Sequence, residues 1–254
     1  MGATDAFLRD KEGDYVDVNN PIYTTLASNP LTTDKKLRVT STPYDYDVAE
    51  GNIEGHSPFF KTGFNGDVDA TEEDMWVAGG AYVFPLAAQG MEVYSTDNTN
   101  DKAGGTGALT VKIWYLTTTF VEKTDVVTMT GSTAANTVAT DIFRVNAFRV
   151  MTAGTTGAAT GTISLRNKTD HTTVYSQIAI GHTRARNSIY TVPVNKALYI
   201  TQLSFSAGHS SGGRYVRFTL RATYDDVIKA ASTLFYPYYE IGIQDGAFNV
   251  HLDI

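Results

Sequence analysis

From Gly80 onward, short runs of alternating residues recur every 10–15 positions, and this rhythm constrains the fold more than any other feature of the chain. Leu109, Val111, Ile113 and Tyr115 alternate with Thr110, Lys112 and Trp114; Val216, Phe218, Leu220 and Ala222 alternate with Tyr215, Arg217, Thr219, Arg221 and Thr223. A period of two puts one set of side chains on each face of a half-buried strand. Further strands are expected at 81–84, 91–95, 124–129, 142–151, 161–166, 174–178, 188–192 and 197–205. The intervals between them, such as Thr96–Gly107, Thr130–Asn136 and Thr152–Gly161, are rich in Gly, Thr, Asn and Ala and read as hairpin loops. They leave no room for the crossover helices of a parallel sheet, so the pairing is expected to be antiparallel. The predicted body, residues 76–254, is all-β: an antiparallel β-sandwich of jelly-roll type, with Greek-key variants sharing the same pattern. One helix is expected within it, at Asp225–Ala231.

Residues 1–75 have a different texture. Asn19-Asn20-Pro21, Asn29-Pro30, Thr42-Pro43, Glu50-Gly51-Asn52 and Asn65-Gly66-Asp67 are breakers spaced too closely for long elements. The segment reads as an extended arm, closed by a short junction helix at 71–77, where Thr71 caps three acids. The arm carries Tyr15, Tyr23, Tyr44, Tyr46, Phe59, Phe60 and Phe64, more apolar surface than a free linker leaves in water. These residues are therefore read as an interaction arm that lies on its own body or on a neighbouring subunit.

Charge divides along the same line. Residues 1–75 hold six Lys or Arg against fifteen Asp or Glu, whereas the remainder holds fourteen against twelve. An acidic arm repels nucleic acid and anionic lipid and suits basic protein surfaces. No stretch is apolar for long enough to span a bilayer, and the first ten residues lack the basic and apolar regions of a leader, so a soluble, unprocessed chain is expected. With no cysteine, disulfides, thiolate nucleophiles and cysteine-ligated metals are excluded.

Motifs that carry chemistry are weak. Gly208-His209-Ser210-Ser211-Gly212 spells the G-x-S-x-G nucleophile pattern, but it joins strand to strand instead of strand to helix and reads as a hairpin loop. The five histidines have no metal-ligand spacing, and no metal or cofactor is expected. Asp97–Asp101 and Asp67–Thr71 supply oxygen ligands, but Lys102 and Glu72 stand where a calcium loop has glycine, so both read as polar turns. Gly104–Gly107 and Gly154–Gly157 lie between strands, unlike a phosphate loop, and are read as hairpin glycines. Asn167-Lys168-Thr169 is a formal glycosylation sequon without a leader. Tyr215, Arg217 and Arg221 share one strand face and form a candidate surface patch for a protein or a carbohydrate, beside the plainer reading of a solvated outer face.

Val48-Ala49-Glu50-Gly51, Phe60-Lys61-Thr62-Gly63-Phe64-Asn65, Glu73-Asp74-Met75-Trp76, Tyr82-Val83-Phe84-Pro85, Ile113-Trp114-Tyr115-Leu116, Thr183-Arg184-Ala185-Arg186 and Tyr190-Thr191-Val192-Pro193 resemble virion structural proteins of tailed bacteriophages. The resemblance covers residues 45–245 and brings no catalytic residues with it. It implies a non-enzymatic component of the virion, assembled in the bacterial cytoplasm: a capsid-surface decoration or fibre-base protein. Its implied partners are other virion proteins, the major capsid protein first, and copies of itself, most simply as a trimer. The alternative it leaves open is a tail-associated, glycan-binding receptor protein. Members of the group extend past the position of Gln244-Asp245-Gly246-Ala247-Phe248, so the resemblance carries over no function hosted by a further C-terminal region.

Overall fold

Most of the alternating runs become antiparallel ladders. A computed structural model describes residues 44–208, 215–222, 236–244 and 246–251. Strand β1 (Met91–Ser95) pairs with β4 (Ala135–Asn136) and β6 (Ile163–Asn167), and β6 pairs with β7 (Val174–Ile178), giving a four-stranded sheet ordered β4-β1-β6-β7. Strand β2 (Ala108–Leu116) lies between β3 (Glu122–Thr128) and β5 (Arg144–Ala153) in a three-stranded sheet. Every described ladder is antiparallel, so the expected all-β class and pairing sense hold.

Both sheets feed one hydrophobic cluster. Met91, Val93, Ile163, Leu165, Tyr175 and Ile178 come from the four-stranded sheet, and Val111, Ile113, Tyr115, Val127, Val145 and Phe148 from the three-stranded one. Burial on strand β2 follows the alternation read from the sequence, with Val111, Ile113 and Tyr115 buried and Lys112 and Trp114 on the other face. Each buried aliphatic or aromatic side chain stabilises the fold by roughly 1.5–3 kcal/mol relative to exposure, which makes this shared cluster the main source of stability.

The glycine-rich intervals are not hairpin loops, as was expected of them. The one holding Gly104–Gly107 runs from β1 in one sheet to β2 in the other, and the one holding Gly154–Gly157 returns from β5 to β6. The two crossings touch: Gly154 N–H donates to the Gly107 carbonyl at 2.8 Å and Thr156 N–H to that of Thr106 at 2.9 Å. Backbones this close leave no room for a side chain, and a Cβ on Gly107 would strike the Asp101 carboxylate and Thr160.

Asp101 is the pin through this crossing. Its side chain is fully buried and accepts hydrogen bonds from Ser95 Oγ, Ala108 N, Thr160 N, Thr160 Oγ1 and Gly161 N at 2.7–3.0 Å. Burial pushes its carboxyl up, but the hydrogen bonds from Thr160, Ser95, Ala108 and Gly161 outweigh burial and hold it below the ordinary carboxylate range.

Two two-stranded ribbons follow. Strand β8 (Gln202–Ala207) pairs with β11 (Gly246–His251), and β9 (Tyr215–Ala222) with β10 (Tyr236–Gln244). Phe205 of β8 and Phe218 of β9 meet at 5.1 Å between ring centroids. Because β8 and β9 belong to different ladders, the G-x-S-x-G stretch joins two ribbons and does not close a hairpin. Past Gly208 that stretch lies outside the described residues, as does the expected helix at 225–231.

The chain divides into two units, 1–60 and 61–254. In the described part of the first, Tyr44–Glu50 forms a helix, α1, inside a segment read as extended. Its end is a Schellman cap: Gly51 adopts φ +81°, Asn52 N–H donates to the Asp47 carbonyl at 2.8 Å and Gly51 N–H to that of Val48 at 3.2 Å. The second unit begins at Lys61, so residues 61–75, expected in the arm, are part of the body unit. The junction helix expected at 71–77 is not formed. Its acids bind other donors instead: Asp74 accepts from Tyr82 N at 2.6 Å, Glu73 from Gly80 N at 3.2 Å, and Ser188 N–H takes the Met75 carbonyl at 3.0 Å. The strands expected at 81–84 and 188–192 are irregular chain.

Candidate functional site

Carboxylates and histidines of the kind that carry chemistry are largely consumed by the fold. Asp97 accepts from Thr99 N, Asn100 N and Asn100 Nδ2 at 2.7–3.0 Å, and these bonds, led by that of the Asn100 side chain, hold it well below its ordinary range. Asp69 and Asn65 each close a turn on the backbone N–H two residues on. Buried Glu92 is held by Arg166 Nε at 2.6 Å and His171 Nδ1 at 2.9 Å. Among the described residues no group of three or more His, Asp or Glu side chains is placed to hold a metal, and no helix is long and apolar enough to cross a membrane.

Of the arm residues, Tyr15 and Tyr23 lie outside the described residues. Tyr44, Tyr46, Phe59, Phe60 and Phe64 are all exposed, Tyr46 by 63% and Phe60 by 70%, although they are large apolar groups. No residue of α1 is buried, and its first turn carries Asp45 and Asp47 with no basic residue in its last. From Tyr44 to Phe60 the chain has four acids and no Lys or Arg. Phe64, in the body unit, receives the Arg186 guanidinium at 4.0 Å from its ring centroid.

The expected Tyr215, Arg217, Arg221 patch is divided. Tyr215 is 69% exposed, but Arg221 is turned into an ion-pair network with Asp74 at 2.7 Å and Glu72 at 3.1 Å that ties β9 to the chain before β1.

A different surface stands out. Strands β3, β2 and β5 place Val126, Lys112 and Arg149 directly opposite one another, and the row continues to Arg184, which bridges Arg149 from the segment after β7. Val150 N–H donates to Thr183 O at 2.7 Å and Ala185 N–H to Phe148 O at 2.9 Å. Those bonds make Arg149 and Arg184 a non-hydrogen-bonded pair, the kind whose Cα atoms lie roughly 4.5 Å apart. In the neighbouring row stands Trp114, with Lys112 Nζ 4.8 Å and the Arg149 guanidinium 5.5 Å from its ring. Among the described residues no carboxylate reaches ion-pair distance of Lys112, Arg149 or Arg184. The nearest acid along the same face of β3, Glu122, makes no ion pair there either.

Lys61 lies within the field of this row. Its Nζ donates to the Asn146 carbonyl on β5 and sits 5.8 Å from the Tyr190 ring centroid. Burial, with the charge of Arg149 adding to it, lowers the Lys61 ammonium to about 7. Asn146 in turn holds Thr191, accepting from its N–H at 2.9 Å and donating to its carbonyl at 2.7 Å.

Sequence reasoning assigned Lys112 and Trp114 to one strand face but did not bring Arg149 and Arg184 to it. Only the register β2 to β5, and the bridge beyond, makes the row. The chain matches no protein-family model, no curated protein and no solved structure.

Proposed function

We propose that this protein is a non-catalytic structural component of a tailed-phage virion, a decoration or fibre-base protein that binds the shell and copies of itself, most simply as a trimer, through its leading segment. The observation that carries this reading is the run Tyr44–Phe60, where exposed Tyr44 and Tyr46 alternate with Asp45 and Asp47 on a helix that buries nothing and exposed Phe59 and Phe60 follow it. Apolar groups of this size left in water mark an interaction surface, and the excess of acid directs it to basic protein and away from nucleic acid. The sequence resemblance over residues 45–245 supports the virion, with the major capsid protein as the first partner. The engagement of Asp97, Asp101, Glu92 and Asp74 in structural bonds supports a role without catalysis. Nested pairing of β1 with β6 and β2 with β5, with both sheets lining one core, supports a sandwich of jelly-roll type.

The test is to purify particles of a phage encoding this chain and image them with the chain labelled. Label on the head or at the fibre base, in symmetric sets of copies, is the expected result; virions free of the chain overturn the reading.

A further inference from the structure

Three cations share a row across the outer face of the three-stranded sheet. Like charges directly opposite one another on adjacent strands destabilise a sheet, and here Lys112, Arg149 and Arg184 follow in succession without an ion-paired carboxylate among the described residues. Arg149 and Arg184 are exposed, and beside them are the Trp114 ring and Val126, itself 51% exposed. Such a surface offers cations for carboxylates and flat apolar area for aromatic rings.

The same chain contains the complement. Residues 44–60 present Asp45, Asp47, Glu50 and Glu54, no Lys or Arg, and the exposed rings of Tyr44, Tyr46, Phe59 and Phe60. A seven-residue helix has little stability of its own, and α1 buries none of its residues. We propose that the Lys112–Arg149–Arg184 row with Trp114 is the docking face for residues 44–60 of a second copy of this chain. Carboxylates of the incoming segment relieve the repulsion along the row, and its tyrosines and phenylalanines cover Trp114 and Val126. This inference rests on the self-association in the reading above and names the surface that serves it.

Charge reversal tests it on the full-length chain. One variant carries Arg149→Glu with Arg184→Glu, a second carries Asp45→Arg with Asp47→Arg, and sedimentation velocity reads assembly while circular dichroism and thermal melting check that each variant is folded. Each variant alone is expected to raise the self-association constant Kd by at least ~10-fold, since reversed charges oppose docking, and an equimolar mixture is expected to associate again. If the Arg variant fails to fold, Arg184→Gln alone serves and is expected to weaken assembly in the same direction. A folded Arg variant that assembles like the parent overturns the docking face and leaves self-association standing. A parent that sediments as a monomer at all concentrations overturns both. Loss in both variants without recovery in the mixture overturns the direct pairing, as does binding of an acidic oligosaccharide to the row with assembly unchanged.

Discussion

Asp101, which is buried, and Lys61, which is partly buried, have opposite consequences for stability. The Asp101 carboxylate is pre-paid by five hydrogen bonds at the crossing of two glycine loops. Asn in its place keeps one acceptor oxygen and points an amide donor at backbone N–H groups, so Asp101→Asn is expected to cost about 2–4 kcal/mol in urea denaturation. Its folded carboxyl lies below the unfolded value, so its contribution is complete above about pH 4 and is lost as pH falls through the folded value. Lys61 works the other way. The folded chain sheds the lysine proton near pH 7, while the unfolded chain keeps it to about 10.5. The unfolded state therefore binds more protons in that window, and stability rises with pH by up to about 1.4 kcal/mol per unit. Urea midpoints between pH 7 and 10 should climb in the parent and flatten in Lys61→Met; an equal climb in both would exclude Lys61 as the source.

The ribbons β8–β11 and β9–β10 are the elements least able to stand alone, because a two-stranded ribbon is marginal in water. Phe205 against Phe218 is the described aromatic contact between them. Phe218→Ala is expected to speed amide exchange in both ribbons by at least ~10-fold while β1, β2, β5 and β6 keep their protection; uniform acceleration would mean that the ribbons unfold only with the body. At this scale the sequence was legible wherever alternation was strict: β1 and β7 have the predicted bounds, and β2 and β9 the predicted faces. It was less legible where glycine served two masters. Gly104–Gly107 looks like a hairpin because close backbone approach and a tight turn require the same residue, and only the partner loop at Gly154 distinguishes them. Helix α1 was hidden for a related reason, since Thr42-Pro43 and Glu50-Gly51-Asn52, read as breakers, flank it on either side. The cationic row stayed out of reach because Lys112, Arg149 and Arg184 are far apart in the chain, and their meeting depends on register.

At the scale of the whole molecule, removal of residues 1–60 is expected to leave a folded body that no longer self-associates, with the core of β1–β7 intact. Retention of the parent's stoichiometry by the truncated protein would assign assembly to the body. Because the complementary surfaces are charged and exposed, association of the parent should weaken as salt rises from 0.05 to about 0.5 M, where screening shortens to a few ångströms; an assembly indifferent to salt would point to an apolar interface elsewhere. The naked flank of α1 has a consequence for timing. If the docking proposed above supplies its cover, joining depends on local concentration and not on synthesis, and dilute subunits are expected to remain single.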